Sequence, residues 1–141
     1  MQIEVSKDTF KLAQVFTISR GSRTEAHVLS AHVTRGGITG HGECVPYARY
    51  GETMDSVAEQ IMSITPGLSR LELMEALPAG AARNALDGAL WDLEAKEAGR
   101  RAWDLAGLPA PGPEITAYTL SLDTPDKMQA QAAEHAFRPL L

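Results

Sequence analysis

The stretch AARNALDGALWDLEAKEAGRRAWDLAGLP, residues 81–109, decides the fold. Its apolar residues recur at intervals of three and four, which predicts a helix over residues 79–98 that ends at Gly99. The predicted buried stripe consists of Ala82, Ala85, Leu86, Ala89, Leu90 and Leu93. Because several of these side chains are small, the stripe can lie close against a neighbouring element. Spacing alone therefore predicts a packing helix.

The sequence before this helix has the pattern of β-strands. Ile3 and Val5 alternate with polar residues, as in a half-buried strand, and a further strand is predicted over residues 27–35. The polar segment 19–24 interrupts the pattern and predicts a loop between the two strands.

A glycine pair follows the second predicted strand. Gly36 and Gly37 predict a tight hairpin turn, because glycine adopts positive φ without steric cost. Residues 38–43 then return as the partner strand. Gly40 and Gly42 within it indicate a bulge or a close approach of another backbone.

Short helices occupy the middle of the chain. Thr53 is a predicted N-cap of a helix that ends at Pro66-Gly67, and a second helix is predicted over residues 71–77. Residues 102–105 predict one further turn after the long helix.

The last third of the chain begins with a proline-rich connector, residues 109–113. A strand is predicted over residues 115–122, followed by a helix with Thr124 as N-cap and Pro125 in its first turn, running to about Ala136. A strand followed by a helix is the opening unit of a parallel α/β fold. One such unit cannot close a parallel sheet by itself.

Composition excludes several classes of protein. The 141 residues suffice for one domain or slightly more, and the net charge of −5 without a basic block argues against a nucleic-acid partner. Cys44 is the only cysteine, which suits a reducing compartment, and we expect a cytoplasmic protein. No secretory leader or apolar run of membrane-spanning length is present, so we expect no membrane partner.

Several motifs together resemble a known family. They are GHGE (40–43), ARNALDGALWDL (82–93) and WDLAG (103–107), joined by ISRGSR (18–23), PYARYGE (46–52) and AYTLS (117–121). The first three resemble the N-terminal half of an enolase-superfamily enzyme of the muconate-lactonizing/mandelate racemase type. The last three resemble its dipeptide epimerases.

The resemblance implies a fold in two parts. Residues 1–112 would form an α+β capping domain, with an antiparallel hairpin or sheet plus helices. Residues 113–141 would begin a (β/α) barrel with its first β/α unit, truncated at Leu141.

The resemblance also implies a chemistry. Magnesium would hold a substrate carboxylate while one of two lysines removes the α-proton and the other returns it through a metal-stabilised enediolate. Those lysines and the metal carboxylates would lie after Leu141. Lys96 and Lys127 are on predicted helices and are not assigned as bases. We therefore assign no catalytic and no metal-binding residue in this chain, and expect it to be inactive alone.

Five residues are candidates for substrate binding. The resemblance directs Arg20, and less specifically Arg23, toward an acidic group, which a guanidinium binds through two parallel hydrogen bonds. Arg49 and Tyr50 lie on a second loop that would close over the site. Thr119 would lie at the mouth of the first barrel strand. The alternative for each is an ordinary loop or strand residue.

Other polar residues are interpreted structurally. Glu43 is expected to accept hydrogen bonds from loop amides rather than to contact substrate. Asp87, Asp92 and Glu94 are interpreted as caps or as ion pairs, with Arg83 among the partners. The four histidines are scattered without ligand spacing, and the two tryptophans are interpreted as packing residues.

The leading hypothesis is the N-terminal part of a magnesium-dependent epimerase that acts on a small dipeptide such as Ala-Glu. A cycloisomerase and an N-acylamino acid racemase stay open within the same superfamily. A binding or assembly module without catalysis is the alternative class, and an unrelated α+β domain is a third. A homo-oligomer is compatible with the resemblance.

Overall fold

The computed structural model describes residues 1–135, which fall into two compact units. The first consists of Met1–Thr9 and His27–Ala110, and the second of Phe10–Ala26 with the chain from Pro111 onward. In chain order the elements are β1 (Gln2–Ile18), β2 (Gly21–Arg35), β3 (Ile38–Cys44), a 3-10 turn (Ala48–Tyr50), α1 (Met54–Met62), α2 (Arg70–Ala76), α3 (Ala81–Ala98), α4 (Ala102–Leu105) and α5 (Pro125–His135). Among the described helices, none is long and apolar enough to cross a membrane.

The three strands form one sheet in the order β1-β2-β3, which confirms the predicted α+β class with an antiparallel hairpin. Strands β2 and β3 are antiparallel, and the turn between them has φ of 58° at Gly36 and 82° at Gly37. The register pairs Ala31 with Gly42. The predicted glycine turn therefore fixes which residues of β2 and β3 stand opposite each other.

The predicted loop over residues 19–24 is wrong in length. Strand β1 continues to Ile18 and β2 begins at Gly21, so only two residues form the turn. Gly21, the first residue of β2, has φ of 135°, a conformation that other residues rarely adopt. Polar side chains in this segment do not prevent a strand, because the ladder is made by backbone groups.

Helix α3 packs against β3 at backbone distance. The predicted stripe is buried throughout, and a Cβ atom at Gly42 would lie 2.0 Å from the Ala85 carbonyl oxygen. At Gly40 a Cβ atom would lie 2.1 Å from the Ala89 carbonyl oxygen. The predicted close backbone approach is thus confirmed, and its partner is the helix. On the neighbouring strand Leu29, Ala31 and Val33 complete this core.

Capping side chains define the shorter helices. The predicted N-cap Thr53 accepts a hydrogen bond from the Ser56 N–H at 3.0 Å, and the Ser56 hydroxyl accepts one from the Thr53 N–H. Helix α1 nevertheless ends at Met62, four residues before the predicted stop. Helix α2 begins after Ser69, which forms a second capping box with Glu72.

The predicted strand over residues 115–122 is not a strand in the structure. This segment of the second unit donates one backbone hydrogen bond to β1, from the Leu122 N–H to the Thr17 carbonyl at 2.8 Å. The Ser121 hydroxyl adds bonds to the same strand, accepting from the Thr17 N–H and donating to the Val15 carbonyl. One backbone bond is not a ladder, so the segment forms no strand.

The helix after this segment starts where the sequence predicts. Helix α5 begins at Pro125, and Met128 N–H donates to the Thr124 carbonyl at 2.9 Å. Its predicted end at Ala136 lies outside the described residues.

The contact between β3 and α3 can be tested with two alanine substitutions that face each other. Gly42→Ala places a Cβ against backbone atoms that cannot rotate away, so we expect a loss of unfolding free energy at or above the upper end of about 1–3 kcal/mol. Gly88→Ala is the control, because its Cβ would meet only the Gly42 Cα at 3.7 Å, an ordinary contact. Since alanine favours helix over glycine, Gly88→Ala should leave stability unchanged or raise it by up to about 1 kcal/mol. Urea unfolding measures both changes, and equal losses would contradict the packing described.

Candidate functional site

The loop that follows β3 forms a short 3-10 turn on which two of the predicted site residues lie. The Tyr50 N–H donates to the Tyr47 carbonyl at 2.9 Å, and the Gly51 N–H donates to the Ala48 carbonyl at 3.0 Å. Gly51 ends the turn with φ of 75°, which favours glycine. Arg49 and Tyr50 are exposed, and 76% of the Tyr50 surface is accessible.

Glu52 ties this turn to the start of helix α3. One carboxylate oxygen, Oε2, accepts from the Tyr47 N–H at 3.0 Å, and the other, Oε1, accepts from the Ala81 N–H at 2.7 Å. Ala81 is the first residue of α3, whose amide end carries partial positive charge and favours a carboxylate. We call these two hydrogen bonds the Glu52 bridge.

A cavity of about 510 Å³ opens beside the Glu52 bridge. The Tyr47 and Tyr50 rings, with centroids 5.7 Å apart, form part of its wall. The remaining lining residues are Cys44, Val45, Glu52, Ala79, Gly80, Ala81 and Asn84. Aromatic rings beside a carboxylate and an amide give the cavity both apolar and polar surface, as is usual for small-molecule sites.

Cys44 is the one thiol in the wall of this cavity, and it is held protonated. Burial, with smaller contributions from the nearby carboxylates of Glu52 and Glu43, raises the pKa of Cys44 to about 11. Only the thiolate is a nucleophile, so this cysteine is a packing residue and not a reactive one.

The other predicted binding residues lie in the second unit. Arg20 is in the two-residue turn between β1 and β2, and Arg23 lies three residues further on in β2. Both are exposed, as is Thr119 on the extended segment before α5. The structure thus brings Arg49 and Tyr50 onto one turn and Arg20 and Arg23 onto one hairpin end. Their roles in binding stay predictions.

Sequence reasoning missed the role of Glu52 and assigned it to Glu43. The Glu43 side chain is exposed, and its backbone carbonyl accepts from the Asn84 side-chain amide at 3.3 Å. The carboxylate that accepts from the Tyr47 amide of this loop is Glu52. No local pattern links it to Ala81, because the two are 29 residues apart and meet only in the folded chain.

Two of the three acidic residues singled out on α3, Asp92 and Glu94, form ion pairs, but not with the predicted partner Arg83. Asp92 pairs with Lys96 at 2.6 Å and Glu94 pairs with Arg70 at 3.0 Å. Arg83 instead donates to two carbonyls at the end of α2, at 3.4 Å each. Partial burial raises the pKa of Asp92, but hydrogen bonds from Lys96 and from the His41 N–H outweigh it and bring the pKa below its usual value.

Two of the histidines, predicted to be scattered, meet across the sheet. His32 and His41 stand opposite each other in β2 and β3, and their Nδ1 atoms lie 2.8 Å apart. The two tryptophans are half-buried rather than in the core. Arg70 stacks 3.5 Å above the Trp91 ring centroid.

Residues 1–135 offer no group of three or more His, Cys, Asp or Glu that could hold a metal ion. The histidine pair has no third ligand among the described residues, and Asp92 and Glu94 of α3 are engaged by Lys96 and Arg70. The described residues therefore do not fit a magnesium site.

Comparison with known proteins places this arrangement among enzymes of one family. Residues 1–107 match the family model described as the N-terminal domain of mandelate racemase/muconate lactonizing enzyme. The chain is 48% identical over 135 residues to the L-Ala-D/L-Glu epimerase of Escherichia coli (strain K12). This alignment covers 93% of the chain but 42% of the relative, so the chain spans less than half the length of that protein.

Two solved structures are similar across nearly the whole chain. One is an enolase family member from Agrobacterium tumefaciens with homology to dipeptide epimerases, which contains sodium and L-Ala-L-Glu. It has a TM-score of 0.90 and 48% identity, covering 97% of this chain and 43% of that one. The other is the dipeptide epimerase from Cytophaga hutchinsonii in complex with Mg and D-Ala-L-Val. Its TM-score is 0.79 at 31% identity, covering 94% of this chain and 39% of that one.

The protonated state of Cys44 can be measured through its reactivity. With a pKa of about 11, only about 0.1% of the thiol is ionised at pH 8, so iodoacetamide should react about 100-fold more slowly with the native protein than with the urea-unfolded one. Mass spectrometry of the Cys44 peptide gives both rates. Similar rates in the two states would contradict the burial described.

Proposed function

Because the chain belongs to the mandelate racemase/muconate lactonizing enzyme family, we propose that it forms the substrate-recognising part of an L-Ala-D/L-Glu dipeptide epimerase. The observation that carries this proposal is the 48% identity to the Escherichia coli epimerase over 93% of the chain. That extent includes both loops that carry the candidate binding residues.

The proposal divides the chain by task. Residues 1–112 act as the capping domain, and residues 113–141 begin the barrel. Arg20 binds the acidic side chain of the dipeptide, with Arg23 adding positive charge, because a guanidinium and a carboxylate form strong paired hydrogen bonds. Arg49 and Tyr50 shape the pocket and exclude water, and the Thr119 hydroxyl holds the substrate from the barrel side.

The proton-transfer chemistry is proposed to lie outside this chain. Magnesium, which accompanies the dipeptide in the Cytophaga hutchinsonii structure, would be held by residues after Leu141, since the described residues do not fit it. The two lysines that remove and return the α-proton would lie there as well. Within residues 1–141 the contribution is recognition, not catalysis.

The activity test uses the full-length protein of this proposal, in which a barrel follows the 141 residues. In D₂O containing magnesium, we expect L-Ala-L-Glu to lose its glutamate α-proton NMR signal and L-Ala-D-Glu to accumulate, because two-base transfer exchanges this proton with solvent. EDTA should abolish the exchange, and residues 1–141 alone should be inactive.

Other substrates separate the alternatives in the same assay. Exchange with N-acetylglutamate but not with the dipeptide would indicate an N-acylamino acid racemase instead. Activity in residues 1–141 alone would contradict the proposed division of tasks, and a full-length protein with no exchange on either compound would favour a binding module.

Recognition of the acidic side chain is tested by Arg20→Gln. Loss of a charge-assisted pair should lower kcat/KM for L-Ala-L-Glu by about 10- to 100-fold, while kcat/KM for L-Ala-L-Ala changes little. Arg23→Gln is the matched control, for which we expect a smaller loss. An equal loss of kcat/KM for both dipeptides in the Arg20 variant would show that this residue does not recognise the acidic side chain of the substrate.

A further inference from the structure

Hydrogen bonds, rather than buried side chains, hold the Tyr47–Glu52 loop. None of the three residues of its 3-10 turn is buried, so the hydrophobic core does not fix the position of Arg49 and Tyr50, although the Tyr50 ring contacts the Tyr47 ring. Two hydrogen bonds within the turn set its shape, and the Glu52 bridge connects it to helix α3.

The geometry of the Glu52 bridge uses both carboxylate oxygens. Oε2 receives the N–H at the start of the turn, and Oε1 receives the first N–H of α3. The N-cap residue of α3 is Gly80, which has no side chain with which to cap the helix. The carboxylate of Glu52 instead supplies, from a distant loop, an acceptor for one of the backbone N–H groups of the first helical turn, which have no partner within the helix.

Gly80 makes room for this carboxylate. Its φ of 166° is extended backbone that other residues adopt readily, so conformation does not require glycine there. A Cβ atom at this position, however, would lie 2.8 Å from Glu52 Oε1. Gly80 and Glu52 thus fit each other, and a side chain at position 80 would displace the carboxylate.

We propose that Glu52 is a positioning residue that holds the Arg49–Tyr50 turn in its conformation before the substrate binds. It does so by anchoring the turn to the amide end of α3, so the turn need not be ordered when the dipeptide binds. Preorganisation of this kind strengthens binding, because the turn loses its conformational entropy on folding and not on binding. The inference rests on the proposed function insofar as Arg49 and Tyr50 contact the substrate.

The first test follows the turn itself and needs no activity. Trypsin cleaves after Arg49 only when the turn opens, so Glu52→Ala in the full-length protein should speed this cleavage by about tenfold or more. Cleavage after Arg20 and Arg23 is the internal control and should not change. Glu52→Gln keeps one acceptor oxygen and should fall between Glu52→Ala and the parent protein.

A double-mutant cycle then tests the fit between Gly80 and Glu52. Gly80→Ala in the parent protein should also speed cleavage after Arg49, because its Cβ displaces the carboxylate. In the Glu52→Ala background the same substitution should add little, since the group that it displaces is gone. Additive effects would overturn the inference, because contacting residues should be coupled.

Kinetics supply the functional readout. In an active full-length protein, Glu52→Ala should raise KM for L-Ala-L-Glu by about tenfold with kcat within about twofold, since preorganised binding is lost while the reacting groups remain. A loss confined to kcat would overturn the positioning role.

The outcomes separate the two proposals. Faster cleavage after Arg49 in a protein with no epimerase activity would keep the positioning role and reject the proposed function. Unchanged cleavage after Arg49 in all three variants would overturn the positioning role, whatever the activity. If Glu52→Ala also speeds cleavage after Arg20, the substitution has destabilised the whole chain. The milder variants Glu52→Gln and Gly80→Ala then provide the test: faster cleavage after Arg49 but not after Arg20 supports the positioning role, and equal acceleration at both sites overturns it.

Discussion

The first unit depends on the contact between the backbones of β3 and α3. Gly40 and Gly42 carry no side chain, so the carbonyls of Ala85 and Ala89 lie where a Cβ atom would otherwise be. Small residues on both sides make this approach possible, and the buried stripe shares one core with Leu29, Ala31 and Val33 of β2. A side chain at either glycine would push the helix outward.

This contact also determines where the candidate site lies. Strand β3 ends at Cys44 while α3 begins at Ala81, so the loop that leaves the strand emerges beside the amide end of the helix. The Asn84 side chain binds the Glu43 carbonyl at this junction, and the Glu52 bridge follows directly after it. A packing constraint between glycines and alanines thereby places the turn that carries Arg49 and Tyr50.

Sequence alone could predict the features that depend on local pattern. The stripe of α3, the capping role of Thr53 and the close approach at Gly42 follow from spacing and residue type, and the structure confirms them. The register between β2 and β3 could also be predicted, because a two-residue turn after Arg35 places His32 opposite His41. Spacing along the chain does not reveal this pair, because the two histidines approach each other across the hairpin.

Features that depend on distant partners could not be predicted in this way. Residues 115–122 have the composition of a strand, yet a strand also needs a neighbour with which to form a ladder. Glu52 has no sequence signal that points to Ala81, and Gly80 looks like an ordinary helix boundary until the carboxylate beside it is seen. The resemblance to dipeptide epimerases indicates the candidate residues, whereas only the structure shows that Glu52 anchors the loop that carries Arg49 and Tyr50.

Native-state hydrogen exchange of the backbone amides tests the contact between β3 and α3 most directly. If the two elements are held together at backbone distance, the amides of β3 and of the central turns of α3 should exchange through one opening, with the same free energy and the same dependence on denaturant. The Ala81 amide should be protected as well, although less, because only Glu52 covers it. Opening of α3 in low denaturant while β3 stays fully protected would contradict the account.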